Sequence, residues 1–266
     1  MVDNGCTIEG CDIFDFMAKH VGLTVIHPGG FEATRRPAES CHLDAGKRVI
    51  DIACGKGTSA VYLARTYGCE VVGIDISESL VDEANALKHK KRLDGRVSFR
   101  VGDALDLPFE DGEFDVAVSQ AMLVLVGHKR RAIDEALRVT KPGGQVGWLE
   151  LSWHEEPPKE FLDAVSNVLC AYCMLNVHTF EGWEALFREA GITELQTMAF
   201  PLRSMGITGM LADEGLVNTS RVLFKNLNDG RIRKRMSTMN RFFDEHTEYF
   251  GYGIYSGKKQ SELSAS

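Results

Sequence analysis

Residues Val49-Ile-Asp-Ile-Ala-Cys-Gly-Lys-Gly-Thr-Ser-Ala60 constrain the fold more than any other stretch of this chain. An apolar run carrying one acid ends in a turn with two spaced glycines and passes into a helical pattern. In a parallel α/β sheet such a strand-to-helix turn lies at the carboxyl edge. There Gly55 and Gly57 let the backbone approach a ligand, and the next helix offers unpaired N–H groups. The stretch therefore reads as a cofactor-binding loop.

The 266 residues suffice for one full domain with an inserted cap. With 44% hydrophobic and 26% charged residues and a formal net charge of −8, the chain has no basic footprint for nucleic acid, so a small-molecule partner is expected. Its seven cysteines, an odd number without a secretory signal, predict free thiols in a reducing cytoplasm. No apolar run reaches the roughly 18 residues of a membrane span.

Strand-like and helix-like segments alternate. Lys47 to Ala53 predicts a buried strand, Thr58 to Tyr67 a helix, and Glu70 to Asp75 a second strand ending in an acid. Ser77 to Lys90 predicts a helix with Ser77 as N-cap and Leu80, Ala84 and Leu87 on one face. Arg96 to Val101 and Phe114 to Ser119 follow as strands, Lys129 to Val139 as a helix, and Lys141-Pro-Gly-Gly144 turns into a fifth strand through Leu151. The expected organisation is an N-terminal lid segment (1–46), a cofactor-binding core (47–151), a cap insertion (152–178), a return to the core (179–201), a helical cap insertion (202–246), a last core strand (247–257) and a tail (258–266).

Gly55-x-Gly57-x-x-Ala60 with Asp75 downstream fits a relaxed dinucleotide fingerprint, which leaves a nicotinamide or flavin oxidoreductase open. Four further features weigh against it: Asp51 ahead of the loop, Gly102-Asp-Ala-Leu-Asp-Leu-Pro-Phe109, Glu113-Phe-Asp115-Val-Ala-Val-Ser119, and Leu137-Arg-Val-Thr-Lys-Pro-Gly-Gly144. Together these resemble the class I S-adenosylmethionine-dependent methyltransferases, most closely the type 11 group that includes ubiquinone and menaquinone C-methyltransferases. The resemblance covers residues 47 to 151. It implies a doubly wound, seven-stranded, mostly parallel Rossmann-like α/β sheet with an antiparallel last strand and a helical cap. It also implies S-adenosylmethionine as cofactor, S-adenosylhomocysteine as product, and no metal. Such a donor offers an ammonium, ribose hydroxyls, an adenine amino group and a sulfonium, all suited to carboxylates and other acceptors. By resemblance, Asp51 and the backbone of Ala53, Gly55 and Gly57 face the methionine part. Asp75 accepts the ribose hydroxyls, Ile76 packs on adenine, Asp103 with Ala104 meets its amino group, and Gln120 lies under the cofactor. Ala53 stands where the family usually has glycine.

The fold requires no universal catalytic residue, because positioning alone can supply roughly 7–11 kcal/mol. Candidates around the acceptor are His27, set before a Pro-Gly-Gly turn that could form part of a lid, Glu150 at the end of the fifth strand, and His154 just after it. Either of the last two could face the acceptor as base or hydrogen-bond partner. Met205, Met210, Met236 and Met239 read chiefly as core, and Arg231-Ile-Arg-Lys-Arg235 as a solvated basic face. Cys170-x-x-Cys173 with Cys6 and Cys11 raises thiol or arsenite methylation as a lesser alternative, and a non-catalytic adenosyl-ligand sensor is another. The expected partner is a small, partly apolar methyl acceptor, and the cap helices could pair in a homodimer.

Overall fold

The computed structural model describes residues 13–165, 168, 176–202 and 206–261. Leu169, Tyr172, Met205 and the cysteines Cys6, Cys11, Cys170 and Cys173 lie outside the described residues. The strands are β1 (Arg48–Ile52), β2 (Glu70–Asp75), β3 (Val97–Val101), β4 (Phe114–Gln120), β5 (Thr140–Trp153), β6 (His178–Thr179), β7 (Ile192–Pro201) and β8 (Phe250–Lys259). They form one sheet in the order β3-β2-β1-β4-β5-β8-β7, with the two-residue β6 pairing the end of β5. β1 to β5 run parallel, and β8 is antiparallel to both β5 and β7.

β1 is central because both of its faces are covered. Val49 joins the cluster of Ala60, Leu63, Val71, Val116 and Phe99, while Ile50 and Ile52 join the opposite cluster of Val72, Ile74, Ala117 and Val146. Period-two alternation sends Val49 and Asp51 to one face and Ile50 and Ile52 to the other. Asp51 thus lies in the apolar layer beneath the glycine loop.

The helices are α1 (Ile13–Asp15, continued by a wider turn over Phe16–Val21), α2 (Gly30–Ser40), α3 (Thr58–Tyr67), α4 (Glu78–Lys90), α5 (Lys129–Val139), α6 (Lys159–Val165), α7 (Phe180–Glu189), α8 (Ile207–Asn228) and α9 (Gly230–Glu245). Ser77 does precede α4, but its hydroxyl meets Ser79 instead of capping a backbone N–H, and the buried side centres on Val81 and Ala84. α8 begins at Ile207, and Gly215 (φ 68°, ψ 171°) breaks it in two; helical periodicity is legible in the sequence only beyond that break, from Leu216 to Leu227. The Lys141-Pro-Gly-Gly144 turn is an irregularity inside β5, where the register with β4 shifts between Phe114 and Val116 and Gly143 takes a φ of 72°. β8 continues to Lys259, two residues past the expected end, because Gly257 and Lys258 pair with Val146 and Gln145.

The antiparallel end is fastened by aromatic packing. Trp148 of β5 stacks on Phe187 of α7 at 4.7 Å, and Phe187 also meets Trp183 and Tyr255. Tyr255 places its hydroxyl 2.8 Å from Ser152 Oγ, and Trp183 Nε1 donates to the Leu151 carbonyl at 2.9 Å. Phe187→Ala would leave a cavity among three buried rings, and we expect a loss of about 3–5 kcal/mol in urea unfolding followed by circular dichroism. A loss below about 1 kcal/mol would show that α7 does not seat on β5 in this way.

Candidate active site

Strand order reverses between β1 and β4, and the loops that follow these two strands meet at the carboxyl edge. Such a switch point is where open α/β sheets bind ligands. The two loops share an unusual feature. Ala53 (φ 62°) follows β1 and Ala121 (φ 56°) follows β4, both in the left-handed region that costs a non-glycine residue about 1–2 kcal/mol. Strain of this kind tends to collect at functional sites. Ala121 is held there by its N–H, which donates to the Leu149 carbonyl at 2.6 Å.

Gly55 (φ 53°) and Gly57 (φ 73°) differ in purpose. A methyl group on Gly55 would meet nothing within 4 Å, so its surface is open to a ligand. One on Gly57 would fall 2.4 Å from the Phe99 ring, so that glycine lets α3 pack on β3.

The acids follow strand alternation. Asp51 is 2% exposed and its Oδ2 has no hydrogen-bond partner among the described residues. Burial, reinforced by the charge of Asp75, pushes its pKa up to about 7. Asp75 accepts the Gly55 N–H at Oδ2 and the Ser77 N–H at Oδ1, each at 2.9 Å, so it fixes the glycine loop. Burial raises its pKa and these backbone bonds partly offset the rise. Beyond it, Ile76 is 59% exposed, a large apolar side chain left in solvent beside a buried carboxylate. Asp103, with Ala104 beside it, lies just past β3 on the same edge and accepts the Leu105 N–H at 2.9 Å. Lys56 turns away from the loop, its Nζ donating to the Ala18 carbonyl at 2.9 Å and pairing with Glu83. Cys54 is buried beneath the turn, and burial with the nearby Asp51 and Asp75 charges keeps its thiol far above the usual range.

Gln120, at the end of β4, belongs to a closed polar network. Its Oε1 accepts from Thr34 Oγ1 at 2.9 Å and lies 3.5 Å from Ser59 Oγ. His27 Nε2 lies 3.2 Å from Thr34 Oγ1 and 3.4 Å from Ser59 Oγ, and His27 Nδ1 faces the Pro28 carbonyl at 3.2 Å. A carbonyl can only accept, so Nδ1 carries the proton and Nε2 is an acceptor. Two hydroxyl protons then serve two acceptors: Thr34 donates to Gln120, and Ser59 to His27. Burial lowers the His27 pKa to about 4, so the ring is neutral at pH 7. Sequence reasoning missed Thr34 and Ser59, because a hydroxyl on a helix is too common to stand out.

The His27-Pro-Gly-Gly30 turn, expected as part of a lid, packs against later parts of the chain. A methyl group on Gly29 would fall 2.5 Å from the Tyr252 hydroxyl, and Asp213 Oδ1 accepts the Phe31 N–H at 2.9 Å. Glu214 grips the segment just before, accepting the Thr24 and Val25 N–H groups and the Thr24 hydroxyl at 2.7–3.0 Å. Glu150, a candidate to face the acceptor, is enclosed beneath the turn after β4. It has no exposed surface, and its Oε1 accepts the Met122 and Leu123 N–H groups at 3.1 and 2.9 Å, holding the turn after β4. Burial pushes its pKa up to about 8. His154 is exposed beside the Phe180 ring, and among the described residues no hydrogen bond joins it to the His27 network.

The model of the methyltransferase domain family matches residues 49–144. An uncharacterized protein of Haemophilus influenzae is 28% identical over 89% of this chain and 94% of its own length. An O-methyltransferase of Aspergillus sclerotiorum is 31% identical over 61% of each chain. The chain thus spans under two thirds of that curated relative. Among solved structures, phosphoethanolamine N-methyltransferase 2 of Haemonchus contortus in complex with S-adenosyl-L-methionine superposes with a TM-score of 0.73 at 18% identity, over 94% of this chain and 60% of that one; this likeness shows the fold. Residues 49–144 thus match a methyltransferase domain, and these likenesses support a class I S-adenosylmethionine-dependent methyltransferase.

Proposed function

We propose that this protein transfers a methyl group from S-adenosylmethionine to a small, partly apolar molecule by direct displacement. The observation that carries the reading is the unpartnered, buried Asp51 carboxylate oxygen under an open glycine loop, with Asp75 beside it. That pair fits a cationic ligand. A dinucleotide pyrophosphate would meet two carboxylates at the same edge while Lys56, the loop's own cation, is engaged elsewhere.

In this reading Asp51 and the Ala53, Gly55 and Gly57 backbone hold the methionine part, and Asp75 accepts the ribose hydroxyls. Ile76 covers one face of the adenine, Asp103 and Ala104 meet its amino edge, and Gln120 lies beneath. The exposure of Ile76 in the free chain supports its part, since burying it against a ring would be favourable. When bound, the donor supplies an electrophilic methyl carbon on sulfur. An acceptor lone pair forms the new bond as the carbon–sulfur bond breaks, and the pair of electrons stays on sulfur. The protein's contribution is alignment and exclusion of water. A His27 held neutral, with a pKa of about 4, is a weak base at pH 7. We assign it a hydrogen-bonding role toward Ser59 and Thr34 that keeps Gln120 oriented, and Glu150 a positioning role under the β4 turn. His154 borders the same edge and is the exposed candidate to touch an acceptor.

Three measurements test the reading. Incubation with methyl-labelled donor and a metabolite extract should move label into a small molecule; label appearing only in protein or nucleic acid would overturn the substrate class. Asp75→Ala should weaken S-adenosylhomocysteine by about 2 kcal/mol, roughly thirty-fold in calorimetry. An unchanged dissociation constant would remove Asp75 from the site. The third is pH dependence. In the free protein Asp51 is protonated below about 7, and a bound ammonium favours its ionised form, so binding releases a proton. Affinity should rise by up to about tenfold per pH unit below pH 7 and level off above it, and Asp51→Asn should flatten the profile. A wild-type profile that is already flat would separate Asp51 from the ammonium.

A further inference from the structure

The second half of α8, from Leu216 to Asn228, carries two unlike faces. Thr219 and Val222, each 2% exposed, pack inward. Leu216 (76% exposed), Val217, Leu223, Phe224 (67%) and Leu227 (72%) stand in solvent. At about 100° per residue these five share an arc of roughly 120° in which the only other residue is Ser220. Scattered apolar side chains on a surface need no explanation, but five on one helical arc do.

Charge surrounds this arc. Residues 216–235 contain six lysines and arginines against one aspartate, in a chain whose net charge is −8. Arg221, Lys225, Arg231, Arg233 and Lys234 are exposed. Arg233 Nη1 donates to the Leu227 carbonyl at 2.8 Å, which folds the start of α9 back over the end of the arc and brings the Arg231 to Lys234 run to its border. The local surface is an apolar strip edged by cations on an otherwise acidic protein.

We propose that the α8–α9 hairpin docks on the surface of an anionic phospholipid bilayer, with the Leu216 to Leu227 arc between the headgroups and the arginines and lysines on their phosphates. Interfacial helices combine these same two terms, apolar burial and attraction to anionic lipid. A two-fold contact between copies of the chain through the same strip would set the cations of one hairpin against those of the other, and that repulsion disfavours it. No described helix is long and apolar enough to cross a membrane, so the attachment is peripheral and reversible. The proposal does not depend on which residues bind the methyl donor.

Cosedimentation of the full chain with vesicles tests it, using phosphatidylcholine alone or an equal mixture with phosphatidylglycerol. The protein should partition onto the mixed vesicles, bind pure phosphatidylcholine far less, and be released by raised salt. Phe224→Asp with Leu227→Asp should abolish binding. Arg231→Gln and Lys234→Gln should lower it roughly fivefold per charge removed. All four positions are solvent-facing, so an unchanged melting temperature should accompany each loss and exclude misfolding as its cause. Failure to bind either vesicle, or equal binding to both, would overturn the proposal. So would light scattering that shows a dimer dissociated by the same two aspartates, which would give the strip to a second copy of the chain.

Discussion

Burying Asp51 in the central strand is the costly step around which the carboxyl edge is arranged. Alternation in Val49-Ile-Asp-Ile52 leaves no choice of face: if Ile50 and Ile52 fill one layer, Asp51 must enter the other, between Val49 and the loop. Its pKa of about 7 against an ordinary value of 3.8 records the penalty. The sign is unfavourable for the empty protein. A carboxyl whose folded pKa is raised contributes stability only while protonated, so that contribution is complete below about pH 4 and is lost as pH climbs through 7. A fold that keeps such a group buried at the carboxyl edge gives up stability there, and the cationic ligand proposed above would offset the cost.

The neighbouring features serve to hold that edge still. Asp75 bonds to the Gly55 and Ser77 amides and so joins the loops that follow β1 and β2. Glu150 does the same for the turn after β4, from beneath, with a second oxygen that finds no partner among the described residues. Ala53 and Ala121 pay left-handed strain on either side of the switch point. Buried acids below and strained turns above preorganise the edge, which suits the proposed displacement.

Much of this was legible from residue order alone. β1, α3, β2 and the Lys129 to Val139 helix were readable because parallel strands are apolar throughout and their helices keep a clean 3.6-residue period. The carboxylates at the strand ends could be located for the same reason. Three things were not legible. Gly215 hides the first turns of α8, since a φ of 68° inside a helical run gives no periodic warning. Glu150 sits in β5 one residue from Leu149, and alternation says which face it takes but not that the β4 turn would cover it. His27, before a Pro-Gly-Gly turn, reads as part of a lid, and residue order does not show that Tyr252 and Asp213, more than 180 residues away in sequence, pack against that turn.

That long-range clamp links the cap to the site. Asp213 and Glu214 lie immediately before the break at Gly215, and together they bind four donors of the 24–31 segment. Anything that shifts the first half of α8 must therefore pull on the turn bearing His27, and through Thr34 and Ser59 on Gln120. The second half of α8 takes another direction beyond Gly215, and from it Asn218 and Lys225 reach the Gly22 and His20 carbonyls at 3.0 and 3.1 Å. One helix thus carries two jobs: its first half ties down the 24–31 segment, and its second half, whose buried residues are Thr219 and Val222, presents the apolar arc. Gly215 is the residue that permits both, since a left-handed φ at that point would be costly for any side chain.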